Sequence, residues 1–197
     1  MFVSFEGLDG SGKTTQAELL RGALERGGRE VVATREPGGT PAGEAIRRLL
    51  LDGRELGSWT EAALFAAARA ELVERVIAPA LEAGKDVVCD RYLDSSLAYQ
   101  GLARGLGVEA VLELNLQVTR GLLPDRTFLV LVPPEVALAR SAPSDRIERA
   151  GADFYADVDR AYRQLAELFP ERIETLDGER PPDELAAEIH DRLRQRS

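Results

Sequence analysis

Several things are scarce in this chain. There is one cysteine in 197 residues, Cys89, so no internal disulfide can form. That suits a reducing compartment and gives the expectation of a cytoplasmic protein. There is one histidine, His190, and a lone histidine with no Cys or second His beside it makes no zinc site. No apolar run reaches the roughly 18 residues that a membrane span needs, so no membrane partner is expected. The opening MFVSFEG has no basic start and runs straight into a strand pattern, so no secretory leader is expected either. Positive charge is short as well: 25 Lys and Arg stand against 34 Asp and Glu, a net charge of −9. A chain whose main partner was DNA or RNA would show a basic face, so nucleic acid is not expected. Small anions stay open, because a few arginines can focus a local field that the net charge hides.

What is present is a chain of ordinary domain length, 44% hydrophobic, without repeats or low-complexity stretches. Five short runs rich in β-branched and aromatic residues read as strands: FVSFE (2–6), EVVAT (30–34), DVVCD (86–90), TFLVLV (127–132) and RIETL (172–176). Helical patterns lie between them. Residues 13–26 carry Ala17, Leu20 and Leu24 and stop at Gly27-Gly28. SWTE (58–61) sets Ser58 and Glu61 at capping-box spacing and opens a long helix punctuated by Pro79 and Gly84. FYADVDRAYRQLAELF starts at 154 and stops at Pro170, and a last helix follows Pro181-Pro182. Such alternation predicts one α/β domain over 1–197, with a central parallel five-stranded sheet and helices on both faces. RSAPSDRIERAG (140–151) has no period and reads as an exposed lid. His190 is expected at the surface, Cys89 in the core, and Trp59 as a packing anchor.

The strongest motif is Gly7-Leu8-Asp9-Gly10-Ser11-Gly12-Lys13-Thr14, which fits G-x-x-x-x-G-K-[ST] with a strand before it and a helix after it. This predicts a P-loop NTPase fold and makes all eight residues candidates for ATP binding. Glycines let backbone N–H groups curl towards phosphate oxygens, and the helix start adds its positive end. Lys13 is expected to reach the β and γ phosphates, and the Thr14 hydroxyl to bind Mg²⁺. Lys13 is one of only two lysines. Asp9 is the odd member, an acid inside an anion cradle.

A P-loop names the donor and leaves the acceptor open. A switch GTPase needs N-K-x-D to read guanine; the only asparagine, Asn115, is followed by Leu116, so that motif is missing. A partner-regulated ATPase usually ends an apolar strand in an acidic pair that holds Mg²⁺ and orients water. Here TFLVLV runs into Pro133-Pro134, and VVCD ends in Asp90 followed by Arg91. An arginine at that place serves an anionic acceptor better than water, which favours a small-molecule kinase.

Five colinear stretches then resemble the thymidylate kinase family: FEGLDGSGKTTQ (5–16), TREPGGTPAGEAIR (34–47), LFAAARAEL (64–72), CDRYLDSSLAYQG (89–101) and DRIE (145–148). REPGGT together with DRYxxSSLAYQG carries the specificity. The resemblance implies phosphorylation of dTMP to dTDP with ATP and Mg²⁺, a step towards dTTP. A kinase for another nucleoside monophosphate, dUMP or pyrimidines more broadly, is the alternative.

The resemblance also assigns roles. Arg91 would seat the dTMP phosphate. Phe65 and Arg69, four apart on one helix face, would stack on thymine and donate to a base carbonyl; Ala68 stands where some relatives carry an acid, so Arg69 is less firmly held. Ser96 or Gln100 would bond the base, Tyr99 would crowd the sugar 2′ position, and Glu36 and Pro37 would lie beside the nucleotide. Asp9 would face the second substrate, on its 3′-hydroxyl or through Mg²⁺, with Thr14 and Asp90 as further metal candidates. Lys13, Arg91 and a lid arginine, Arg146 ahead of Arg140 and Arg149, would be catalytic, with Glu148 helping to close the site. Family members are dimers, so a homodimer is expected.

Overall fold

The computed structural model describes residues 1–52, 55–141 and 151–195. The five apolar runs form β1 (Phe2–Glu6), β2 (Val31–Arg35), β3 (Asp86–Asp90), β4 (Arg126–Leu131) and β5 (Ile173–Asp177), all parallel, in the order β2-β3-β1-β4-β5. β1 lies in the middle and every one of its residues is buried. Alternation along the strands then decides which core each side chain joins. Phe2, Val87, Cys89, Leu129 and Ile173 face one layer of helices, while Val3, Phe5, Val88, Phe128, Val130 and Leu176 face the other. A sheet buried on both faces needs near-continuous apolar strands, and that is why these runs were recognisable.

The helices are α1 (Lys13–Arg26), α2 (Pro41–Leu51), α3 (Ser58–Leu72), α4 (Ala78–Glu82), α5 (Leu93–Ser96), α6 (Val108–Thr119), α7 (Pro134–Arg140), α8 (Ala152–Leu168) and α9 (Pro182–Arg194). α1 and α9 cover one face through Ala17, Leu20, Leu24, Leu185 and Ile189. The rest of the core, with α3 and α8, lies on the other. Two wide π-helical turns interrupt the α geometry, Val73–Ile77 and Leu97–Ala103. The first directly precedes Pro79. A proline ring clashes with the carbonyl four residues back, and a widened turn at that point lets the long helix run on to Glu82.

Strand bounds differ from expectation by one residue at β2, β4 and β5 and agree at β1 and β3. Helices α2, α6 and α7 had no counterpart in the sequence reading. The capping box at Ser58 and Glu61 does not form. Gly57 is the N-cap, no side chain caps the helix, and the Glu61 carboxylate instead accepts from Gln100 Nε2 at 2.8 Å. Trp59 is no packing anchor, being 52% exposed. His190 is half-buried on α9, and Cys89 is in the core as expected. Most of the expected lid, including Arg146, Glu148 and Arg149, lies outside the described residues.

The order of the strands positions the site. The chain leaves the C-terminal end of β1 towards β2 and that of β4 towards β5, so the two connections diverge there. Open parallel sheets bind ligands in such a crevice.

Candidate active site

The loop after β1 is shaped by backbone that only glycine tolerates. Gly7 has φ 140°, and a Cβ there would sit 2.4 Å from the Val130 carbonyl oxygen. Gly12, at φ 99°, opens α1 with no side-chain cap, so the first N–H groups of the helix have no side-chain acceptor among the described residues. An anion suits that end. Lys13 Nζ crosses the loop, donating to the Leu8 carbonyl at 3.1 Å and to Asp9 Oδ1 at 3.0 Å. Burial lowers the Lys13 pKa, Arg91 nearby pushes it the same way, and Asp9 and Asp90 oppose them.

Asp9 is the hinge of the arrangement. Its Oδ1 takes Lys13 on one side and Arg91 Nη2 on the other, at 2.6 Å. Burial would raise its carboxyl, but Arg91 and Lys13 outweigh that and hold it far below the usual carboxylate range. Its charge is turned out of the cradle and ties the loop lysine to the strand-end arginine. An aspartate bonding only its own turn would do neither.

Arg91 follows β3 with φ 70°, a left-handed conformation unusual for a residue with a side chain. Its N–H is bonded to the Phe5 carbonyl at 2.9 Å, which fixes the turn. The guanidinium donates to Asp9, to Ser95 Oγ at 3.1 Å and to Tyr162 Oη at 3.1 Å, and lies 5.6 Å from the Tyr99 ring centre. Asp90 takes no part in this. Its Oδ2 accepts from the Thr14 hydroxyl at 2.5 Å, and its Oδ1 is buried with no partner among the described residues. A simple Asp90–Arg91 ion pair at the strand end is therefore not what these residues make.

Behind Arg91 stands a carboxylate that sequence reasoning passed over. Glu6, fully buried at the end of β1, accepts from the Tyr92 N–H at 2.8 Å, Ser95 Oγ at 2.6 Å and Tyr162 Oη at 3.1 Å. Both hydroxyls stand between Glu6 and Arg91, accept from the guanidinium, and lie 2.9 Å from each other. Burial first, then Asp94, pushes the Glu6 pKa up to about 7 against the pull of Ser95, Arg91 and the Tyr92 N–H.

A cleft of about 290 Å³ opens between these groups and α3. Of the expected residues it brings together Asp9, Lys13, Thr14, Glu36, Pro37, Phe65, Asp90, Arg91, Ser96, Tyr99 and Gln100. It adds Arg35, Arg47, Leu51 and Ser95, for which no role was expected. Arg47 donates to the Pro37 carbonyl at 2.9 Å. Arg69 is not among the lining residues. It lies buried beneath, making four hydrogen bonds: Nε donates to Glu36 Oε2 at 2.8 Å, Nη2 to the Tyr92 carbonyl at 3.0 Å, and Nη1 to Ser96 Oγ at 3.0 Å and to Asn115 Oδ1, while Nη2 is also ion-paired with Glu36 Oε2 at 2.6 Å. Ala68 does not leave it loose, since Glu36 supplies the acid from another part of the chain. Burial raises the Glu36 pKa and Arg69 opposes it; Glu36 Oε1 is buried without a partner among the described residues. A second cavity, also about 290 Å³, lies on the other side of the loop, bordered by Ser11, Gly12, Arg140 and the turn from Gly178 to Pro182. Arg140 is held there by the Gly178 carbonyl at 3.1 Å.

Two cavities thus border one loop, the first lined in part by Lys13 and Arg91 and the second by Arg140 and Arg180. A thymidylate kinase family profile matches residues 5–189. The chain belongs to the thymidylate kinase family. It is 50% identical over 193 residues to the thymidylate kinase of Symbiobacterium thermophilum, covering 96% of this chain and 90% of that one. It is 47% identical over 201 residues to the thymidylate kinase of Bifidobacterium longum, covering 99% and 98%. The crystal structure of thymidylate kinase from Ehrlichia chaffeensis superposes with a TM-score of 0.82 at 35% identity, over 98% of each chain. A thymidylate kinase is a phosphotransferase acting on a nucleoside monophosphate with ATP and a divalent metal, and the P-loop and the facing arginine are the parts such an enzyme needs.

Proposed function

We propose that this cleft transfers the γ-phosphoryl group of Mg²⁺-ATP to dTMP, giving dTDP for dTTP synthesis. The Asp9 bridge carries this reading: one carboxylate holds the donor-side lysine and the acceptor-side arginine in a fixed relation. The acceptor phosphate has a second pKa of about 6 and is mostly a dianion at neutral pH, so no general base is required. The demand is to bring two anions together in line. Two unit charges about 4 Å apart repel by about 4 kcal/mol at an effective dielectric near 20. Lys13 and Arg91 offset that from opposite sides.

In this reading Gly7 to Thr14 cradle the triphosphate, with Lys13 on the β and γ groups. The fit to a metal is good: Thr14 and Asp90 form a hydroxyl–carboxylate pair whose Oδ1 lacks a partner among the described residues. Mg²⁺ is commonly held by one or two protein groups with phosphates and waters completing the shell. Bound there, it would draw charge from the phosphate oxygens. Asp9 is the weaker ligand, because it would have to give up an ion pair. The dTMP phosphate lies on Arg91, the base stacks on Phe65 and reaches Ser96 and Gln100, and Tyr99 borders the sugar. Glu36 and Pro37 line the same side. Arg69 works chiefly by holding Glu36 and Ser96, because it does not itself border the cleft. Arg146 is the lid arginine, and the working protein is a cytoplasmic homodimer.

The test is ADP release measured over a panel of nucleoside monophosphates, with Mg²⁺ and with excess chelator. The reading predicts turnover that needs both dTMP and the metal. Equal ATP consumption without any monophosphate would favour a regulatory ATPase instead.

A further inference from the structure

Glu61 is an expensive residue in an unexplained place. It sits in the first turn of α3, 2% exposed, with Arg104 Nε 3.6 Å from its Oε1. A buried carboxylate is kept only where its surroundings compensate it. One of its bonds is informative: Gln100 Nε2 donates to Glu61 Oε1 at 2.8 Å inside the protein.

A carboxylate only accepts, whereas an amide side chain has one donating end and one accepting end that exchange by a half-turn. Glu61 removes that freedom. Gln100 must turn its NH₂ to Glu61 and its carbonyl away. Gln100 also borders the cleft, and its Oε1 has no partner among the described residues. The cleft is thereby offered an acceptor and denied a donor. Gln100 reaches the cleft from the wide turn Leu97–Ala103, and Ser96 from the end of α5 just before it.

We propose that Glu61 is a positioning residue that fixes the Gln100 amide so that the base pocket takes pyrimidines with an N3–H imide and refuses those whose N3 is an acceptor. Thymine and uracil donate from N3 to the Gln100 carbonyl. Cytosine would set two acceptors face to face, and such an unpaired polar contact discriminates strongly in a closed site. The proposal rests on the reading that the cleft holds the dTMP base, and it adds the residue that enforces the choice.

The test is steady-state kinetics with dTMP, dUMP and dCMP for the wild type, Glu61→Gln, Gln100→Ala and the double variant. Glu61→Gln is isosteric and lets the amide turn. The ratio of kcat/KM for dTMP over dCMP should then fall about tenfold, with the loss for dTMP falling on KM rather than kcat. In the Gln100→Ala background the same change should have no further effect on that ratio. If Glu61→Gln does not fold, Glu61→Met, of similar volume, carries the same expectation. A wild type that ignores dTMP overturns the reading of the site. A wild type that prefers dTMP, with a ratio unmoved in the folded Glu61 variant, or moved equally without Gln100, overturns the role of Glu61 alone.

Discussion

At the scale of single residues, the acid in the phosphate loop matters most. Asp9 neutralises Lys13 and Arg91 in turn, so that two cations can stand close before any nucleotide arrives. Asp9→Ala would leave them repelling, and Arg91 held by Ser95, Tyr162 and the Tyr99 ring. Losing one charge-assisted bond at that point costs about 2 kcal/mol, roughly a thirtyfold drop in kcat/KM for dTMP. Steady-state kinetics check it, and a change under twofold would be contrary. Glu6 gives a pH signature. Folding raises its pKa from 4.5 to about 7, so the folded protein holds this proton more tightly than the unfolded chain does. Its contribution to stability is full below the unfolded value and is lost as pH rises through about 7. Thermal melts of wild type and Glu6→Gln from pH 5 to 8 should show the native chain losing ground as pH rises; parallel curves would contradict this.

The loop and Arg91 were legible because their residues are contiguous. Glu6, Ser95 and Tyr162 were not, because they meet across 156 residues of chain. A signal was present even so: an acid at the end of a fully buried strand must find partners. Arg69 was placed on the right face of its helix but with donors to spare. Only the fold shows that Glu36, Ser96, Asn115 and the Tyr92 carbonyl have already claimed them.

At the scale of elements, caps explain both a miss and a misreading. Thr40 caps α2, accepting from the Gly43 N–H at 2.9 Å, with Pro41 in the first turn. That is a recognisable start, hidden inside TREPGGTPAGEAIR, which the sequence presents only as a family match. Thr40→Ala should lower stability by about 1 kcal/mol in urea unfolding, without changing the slope. An unchanged midpoint would mean the cap contributes nothing. Ser58 and Glu61 have capping-box spacing without the box. The spacing of a box records possible local bonds, and here the tertiary bond to Gln100 took the carboxylate. The widened turns had no sequence signal beyond Pro79.

At the scale of the molecule, the sheet order follows from apolar strands buried on two faces and joined by helices. That arrangement sets the ends of β1 and β3 side by side, with Phe5 in register with Asp90. Everything in the cleft descends from that one register. In the proposed reading Arg146, which lies outside the described residues, supplies the last charge. We expect Arg146→Ala to lower kcat by a factor of about 10³ or more while leaving the KM for dTMP nearly unchanged. A near-normal kcat in the purified variant would move the role to Arg140 or Arg149.

The central claim is that the loop after β1 and the arginine after β3 grip two different nucleotides face to face. A crystal structure with dTMP and a non-hydrolysable ATP analogue tests it most directly. The account predicts the dTMP phosphate within hydrogen-bonding distance of Arg91, its base over Phe65, and the γ group on Lys13. A dTMP bound away from Arg91, or an empty cleft beside a filled loop, would contradict it.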